Sequence, residues 1–241
     1  YRITREGVEW EVPEEDNPWS HIGYWGDHQI IYLLKLLEAT ADALPGRLDA
    51  MLDRSIFTYA DVPYRIRPYD DIVRDPCATI DYDSERDADI ERRVEDVGTD
   101  GRLVHDDGSV LHVTLLEKLL VPMLSKLSNL VPGGGIWLNT QRPEWNDANN
   151  ALVGNGVSVV TLCYLRRYVA FLDELLAGTD DTIPVSAEVA DWFRRVSRII
   201  EHEAAARVTR DEVDVERERK STMDALGTAF SAYRERVYSR G

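Results

Sequence analysis

The chain has 241 residues, 44% of them apolar, and its 44 acidic and 28 basic side chains give a net charge of -16. This length and apolar content are enough for a sizeable core, which excludes general disorder. The negative charge repels phosphate backbones and anionic lipids, so we expect neither nucleic acid nor a membrane surface as a partner. The sequence contains no run of ~18 apolar residues that would span a membrane and no signal-peptide pattern.

The basic residues and the cysteines carry further information. Arginine supplies 24 of the 28 basic residues. A surface this acidic is typical of a halophilic protein, while nucleotide bias explains the arginine excess equally well. The two cysteines form no disulfide framework and no zinc-ligand spacing, so we expect a cytoplasmic protein without a metal or other cofactor. Because the chain starts at Tyr1 rather than Met, we expect a piece of a longer polypeptide.

Hydrophobic periodicity predicts mostly helices. Residues 1–18 alternate loosely, which indicates a short strand or an irregular lead-in. Apolar residues at helical spacing predict helices over residues 20–44, 47–56, 110–130, 157–176, 185–205 and 212–238. The last of these is heavily charged, so we expect it at the periphery. No glycine-rich nucleotide motif and no strand–helix alternation appears, and the predicted fold class is all-α.

Residues 57–108 interrupt the helical pattern. Prolines, turn-like pairs and the acidic run 81–91 predict an irregular acidic insertion in a single helical domain spanning 1–241, with the run itself a solvated loop. A metal site built from nearby histidines and aspartates is an alternative, but their spacing is commonplace and we predict none. Its residues would be His105, Asp106, Asp107 and His112.

The decapeptide 141–150 combines many polar side chains with an aromatic one, and it lies between a glycine-rich break and an apolar helix. It contains the carboxylates Glu144 and Asp147, a guanidinium, four amides and an indole. Sugar hydroxyls need such polar partners and sugar C–H faces need a flat aromatic ring, which makes this segment a candidate carbohydrate site. Helix capping by Asn146 or Asp147 is the alternative. The candidate substrate-binding residues here are Arg142, Trp145, Asn146, Asn149 and Asn150.

A second polar cluster, residues 19–29, opens the first long helix. Trp25, Asp27 and His28 lie within four consecutive positions just before an apolar run. They are candidate substrate-binding residues. Alternatively, Asp27 complements the helix dipole, Trp25 belongs to the core and His28 is a hydrogen-bonded structural histidine.

Trp145-Asn146-Asp147, followed by a small residue, one further residue and Asn150, resembles a motif of the cellobiose phosphorylase family and related (α/α)6-barrel glycoside phosphorylases and hydrolases. The resemblance implies that Asp147 is the general acid and that Asp27, at the start of a barrel helix, binds the transferred sugar. Glu144 and Asn149 depart from the family pattern, which implies an altered substrate preference. A full barrel needs twelve helices, so we expect helical hairpins of an (α/α)6 toroid that is either partial, and completed by a further chain, a subunit or a missing stretch, or shortened.

Inverting cleavage of a glycosidic bond needs an acid on one side of the bond and a nucleophile on the other. In a hydrolase a second carboxylate activates water, whereas in a phosphorylase inorganic phosphate attacks. Glu144 lies too close to Asp147 in the chain to act from the opposite face, but it can raise the pKa of the acid. Asp70, Asp71 and Asp106 are alternative bases. The rival interpretation is a non-catalytic subunit that binds oligosaccharide or a protein partner.

Overall fold

The computed structural model describes residues 2–3, 8–9, 26–139, 153–179, 182–209 and 215–239. In chain order the α-helices of these residues are α1 (Gly26–Ala43), α2 (Tyr69–Arg74), α3 (Ser84–Val97), α4 (Leu115–Leu127), α5 (Val159–Leu176), α6 (Ala187–Thr209) and α7 (Val215–Tyr238). The mostly α-helical fold class is confirmed. Within the described part of the chain, no helix is long and apolar enough to cross a membrane.

Short antiparallel strands, which the periodicity predicted only in residues 1–18, connect the helices. They are β1 (Arg2–Ile3), β2 (Val8–Glu9), β3 (Tyr64–Ile66), β4 (Ile80–Tyr82), β5 (His105–Asp106), β6 (Ser109–Val110), β7 (Leu130–Val131), β8 (Gly135–Trp137) and β9 (Val157–Ser158). Three pairs, β1–β2, β3–β4 and β5–β6, form two-stranded sheets, and β7–β8–β9 form a three-stranded one. Strands of two or three residues are too short to show an alternating pattern in the sequence.

Side-chain caps fix where the helices α4 and α5 begin. The Thr114 hydroxyl accepts a hydrogen bond from the backbone N–H of Glu117 at the start of α4, and the Ser158 hydroxyl accepts one from Thr161 at the start of α5. The helix predicted from residue 110 therefore starts five residues later. The backbone N–H of Val113 instead donates to the carbonyl of Phe57 over 2.7 Å, which holds the residues before Thr114 extended.

Two predicted elements of the first half are wrong. The helix expected over residues 47–56 contains only a 3-10 turn at Asp49–Met51, which has no side-chain cap. The acidic run 81–91 is not a solvated loop, because most of it forms the first half of α3, capped by Asp83. Two arginines of α3 reach the carboxylate of Asp61, whose side chain is only 6% exposed. Ion pairs thus stabilise a helix in a segment whose composition alone predicts a loop.

The hydrophobic core lies among α1, α4, α5, α6 and α7. Trp192 of α6 is 1% exposed, and its ring stacks on Phe230 and Tyr233 with centroid distances of 4.8 and 4.2 Å. Its indole N–H donates to the hydroxyl of Ser128 over 3.1 Å. The prediction of a peripheral last helix is therefore wrong: α7 is charged on one face, but its other face buries apolar side chains.

Segment 64–79 packs on α7 from outside this core. The backbone N–H of Tyr69 donates to the hydroxyl of Ser231 over 2.8 Å, and the phenol of Tyr69 donates to Asp224 over 2.8 Å. Gly227 faces the ring of Tyr69, where a Cβ atom would lie 2.0 Å from Cδ2. The glycine is thus required by the close approach of the ring.

Candidate functional site

Most of the sequence-predicted site lies outside the described residues. Trp25 and the decapeptide 141–150 belong to this group. The group thus includes the catalytic candidates Glu144 and Asp147 and the binding candidates Arg142, Trp145, Asn146, Asn149 and Asn150. Asp27 and His28 fall in the first turn of α1, but their side chains are outside the described part. The structure does describe the frame that borders residues 140–152 on both sides.

This frame is the β7–β8–β9 sheet. Ile136 in β8 pairs with Leu130 in β7 on one side and with Ser158 in β9 on the other. Gly135 permits the close approach of β9, because a Cβ atom there would lie 2.9 Å from the carbonyl oxygen of Ser158. The central strand β8 ends at Trp137, three residues before the segment that carries the motif.

Four residues at the ends of that segment are joined, and we call Trp137, Leu138, Asn139 and Gly154 the loop root. The N–H of Gly154 donates to the carbonyl of Leu138 over 2.6 Å, and the N–H of Leu138 donates to Gly156 over 3.0 Å. The indole of Trp137 donates to the carbonyl of Gly154 over 3.2 Å. The described residues on either side of positions 140–152 are therefore hydrogen-bonded to each other.

A pair of amides ties the loop root to α4. The Asn139 side chain, in a residue only 6% exposed, donates through Nδ2 to Oδ1 of Asn129 over 2.7 Å. The Asn129 amide itself donates to the carbonyl of Ser125 in the last turn of α4 over 3.0 Å. The Asn129 backbone carbonyl accepts from the N–H of Trp137 over 2.8 Å. Asn129 thus contacts the helix, the central strand and the loop root together.

The far side of the loop root presses against segment 75–79. Gly154 has a φ of +81°, a conformation that favours glycine, and a Cβ atom there would lie 2.2 Å from Cγ of Pro76. No other residue fits this position without a backbone shift. The root is therefore held between α4 and the segment that follows α2.

A small cleft lies beside the loop root. Its polar lining comes from Thr79, Asn129, Asn139 and Arg234, and its apolar lining includes Phe230. Its volume of about 10 Å³ accommodates about one water molecule. A sugar ring is far larger, so this cleft is not a saccharide pocket.

Buried polar groups surround the cleft. The Arg234 guanidinium donates to the carbonyl of Arg67 over 2.9 Å and to Ser231 over 3.1 Å, and it lies 4.1 Å from the ring centroid of Phe230. Burial, and then the hydrogen bond to Asp224, raise the pKa of the Tyr69 phenol, which therefore stays protonated at neutral pH. These contacts hold α2, α7 and the cleft wall in one arrangement.

Other candidates from the sequence are on the surface. Asp70 and Asp106 are exposed, and Asp71 pairs with Arg74 over 2.7 Å. Nothing in these contacts distinguishes any of the three as a catalytic base. His105 contacts the carbonyl of Asp100 and His112 that of Val110. Among the residues that the structure describes, no three His, Cys, Asp or Glu side chains come together as metal ligands.

Sequence reasoning did not single out Asn129, Asn139 and Arg234. The indole N–H of Trp137, eight residues before Trp145, is bound within the loop root. The sequence signal for these residues was the presence of polar side chains next to apolar ones. Two asparagines flank the short apolar stretch around the glycines 133–135, and Arg234 follows the buried Phe230 by one helical turn.

Comparison with known protein families finds no model that matches this chain, and a search of curated proteins finds no significant match.

Proposed function

We propose that this protein cleaves or transfers a glycosidic bond of an oligosaccharide by an inverting mechanism, with Asp147 as the general acid. The observation that carries the proposal is the segment Trp145–Asn150, whose order of indole, amide, carboxyl and amide resembles the acid-bearing motif of the cellobiose phosphorylase family. The mostly α-helical fold agrees with this resemblance. We extend the proposal to the (α/α)6 arrangement of helical hairpins, completed by a further chain or subunit, and to a cytoplasmic location.

The described residues on either side of positions 140–152 support a functional role for the segment between them. Leu138 and Gly154, which lie on either side of residues 140–152, are joined by a backbone hydrogen bond next to the three-stranded sheet. Functional side chains in proteins are often carried by loops on rigid scaffolds.

In the proposed reaction the Asp147 carboxyl donates its proton to the leaving glycosidic oxygen as the bond to the anomeric carbon breaks. Water or inorganic phosphate attacks the opposite face of that carbon, and the configuration inverts. With water, a second carboxylate takes the proton of the nucleophile; with phosphate, no second carboxylate is needed. A general acid needs a raised pKa, and we assign Glu144, as a like charge, and Trp145, as an apolar neighbour, to this role beside Asp147; Asp27 binds the transferred sugar, and His28 is a further substrate-binding residue.

The test is turnover of β-linked gluco-oligosaccharides by the full chain, with and without inorganic phosphate. Free reducing sugar indicates hydrolysis and a sugar 1-phosphate indicates phosphorolysis. We expect Asp147→Asn to lower kcat by about 10² to 10⁴ while sugar affinity stays nearly constant. The control is Asp42→Asn, which makes the same chemical change at an exposed position of α1 and should leave kcat unchanged. Full activity in Asp147→Asn would refute the mechanism, and binding without turnover in the unmodified chain would favour a non-catalytic saccharide-binding role.

A further inference from the structure

The outer face of α1 carries an apolar stripe. Its members are Tyr32, Leu36, Ala39 and Ala43, which follow one another at intervals of four, three and four residues. Tyr32 is 55% exposed and Leu36 is 63% exposed, and both alanines are exposed as well. The opposite face of α1 already lies in the core, where Ile30 and Leu34 are 0% exposed. A helix that is apolar on opposite faces is normally buried on both, so the stripe is suited to contact with another surface.

The spacing of the stripe indicates that this surface is a second helix. Intervals of three and four residues are those of a coiled-coil seam, in which each side chain of the seam fits between side chains of the facing helix. The N–H of Leu44 still donates to the carbonyl of Thr40 over 2.9 Å, so α1 is helical along the whole stripe. At a rise of about 1.5 Å per residue the stripe is about 16 Å long.

The sizes of the four side chains favour a second copy of α1 in antiparallel orientation. Related by a two-fold axis, Leu36 faces the partner's Ala39 and Tyr32 faces the partner's Ala43, so every layer combines a large side chain with a small one. In a parallel pair each residue would face its own copy. The two large layers would then be overfilled and the two alanine layers would leave a gap.

The charges beside the stripe favour the same arrangement. Lys35 and Asp42 are exposed and seven residues apart, so they lie on the same edge of the stripe. The Lys35 ammonium lies 5.5 Å from the ring centroid of Tyr32, which places it next to the stripe. In the antiparallel register each Lys35 lies across from the partner's Asp42, and this pair occurs twice. In a parallel pair Lys35 would lie across from the uncharged Thr40.

We propose that the outer face of α1 is a self-association surface, on which a second copy of this chain packs its own α1 in antiparallel orientation. The inference concerns assembly and does not rest on the proposed reaction. The two-fold symmetry closes the pair, because the same patch serves both copies. A seam this short is at the low end of interface sizes, so we expect a reversible dimer with a Kd of about 10 to 100 µM.

Sedimentation velocity of the full chain, from about 1 µM to about 1 mM, measures this Kd. We expect Leu36→Glu to raise the Kd by about tenfold or more, because it places a charge in the centre of the seam. Ile56→Glu is the matched control: it makes the same change at a residue that is 56% exposed and lies outside α1, and it should change the Kd by less than about twofold. Far-ultraviolet circular dichroism checks that both variants are folded. A chain that remains monomeric at about 1 mM overturns the inference and points to a different protein as the occupant of the face, and an unchanged Kd in Leu36→Glu overturns it too.

Charge reversal tests the orientation. Lys35→Glu and Asp42→Lys should each raise the Kd by about threefold to thirtyfold, because each homodimer then has two pairs of like charges. An equimolar mixture of the two variants should dimerise about as tightly as the unmodified chain, since both pairs in the mixed dimer are again of opposite charge. A mixture that associates no more tightly than the separate variants overturns the antiparallel arrangement.

Discussion

Replacing Gly227 by alanine sets helix propensity against packing. Gly227 lies inside α7, where alanine is favoured over glycine by about 1 kcal/mol per residue. A Cβ atom at this position, however, would lie 2.0 Å from Cδ2 and 2.2 Å from Cε2 of Tyr69. Both distances are well inside van der Waals contact, so the ring must move. Propensity alone predicts a more stable protein, whereas the packing predicts a less stable one.

The contacts of Tyr69 determine the magnitude. Its backbone N–H is bonded to Ser231 and its phenol to Asp224, each over 2.8 Å, so a shift of the whole residue away from Gly227 weakens both bonds. Overpacking costs ~1–3 kcal/mol and each hydrogen bond ~0.5–1.5 kcal/mol. After subtracting the gain of ~1 kcal/mol in propensity, we expect Gly227→Ala to lower the free energy of unfolding by about 3 kcal/mol, within a range of about 1 to 5.

Urea denaturation followed by far-ultraviolet circular dichroism measures this free energy. Gly178→Ala is the control, because nothing lies within 4 Å of a Cβ atom at that position; it should change stability by less than about 0.5 kcal/mol. The double variant Tyr69→Ala with Gly227→Ala should show less than additive loss, since the first change removes the obstacle to the second. A Gly227→Ala protein as stable as the unmodified chain would refute the packing argument.

Two further predictions concern charge. Asp61→Ala removes the carboxylate that Arg86, over 2.8 Å, and Arg93 share. Because the Asp61 side chain is only 6% exposed, we expect the free energy of unfolding, measured in urea, to fall by about 2–4 kcal/mol. The control is Asp81→Ala, which removes an exposed ion pair and should cost less than about 1 kcal/mol. Equal losses in the two variants would contradict the role assigned to burial. Burial also raises the pKa of several phenols above the ordinary 10.0. The stability that these phenols contribute is therefore fully present below about pH 10 and falls above it. The free energy of unfolding should fall by up to about 1.4 kcal/mol per phenol for each pH unit. These phenols are Tyr59, Tyr168 and Tyr233. An alkaline titration should show their phenolate absorbance appearing together with loss of helicity; full ionisation near pH 10 in the folded protein would count against this.

The long helices could be predicted from the sequence because their signals are local. The apolar period of residues 157–176 and the Ser158 cap both lie within the element they define, and α5 begins at Val159. The same holds for α6, predicted over residues 185–205 and observed at Ala187–Thr209. An observed helix begins a few residues later than predicted where a paired strand occupies the first predicted positions, as β9 does before α5.

What the sequence did not predict depends on distant partners. The helix α3 looked like a loop because Asp61, which its arginines bind, lies more than 20 residues earlier in the chain. The burial of α7 depends on Trp192 and Tyr69, neither of which is near it in sequence. For the candidate site, the motif could be found from residue types alone, whereas the amide pair could not, since Asn129 and Asn139 meet only once β7 and β8 pair.

The docking of segment 64–79 on α7 has a consequence for how the chain folds. Tyr69 and Ser231 are 162 positions apart, and Ile66 and Tyr238 are 172 apart, yet each pair is hydrogen-bonded. Contacts between residues so far apart require closure of a very long loop, which slows folding. During synthesis Ile66 and Tyr69 lack these hydrogen-bond partners until α7 has emerged from the ribosome. Ribosome-bound intermediates that stop before residue 215 should therefore expose the apolar side of Tyr69 and be the species that chaperones hold.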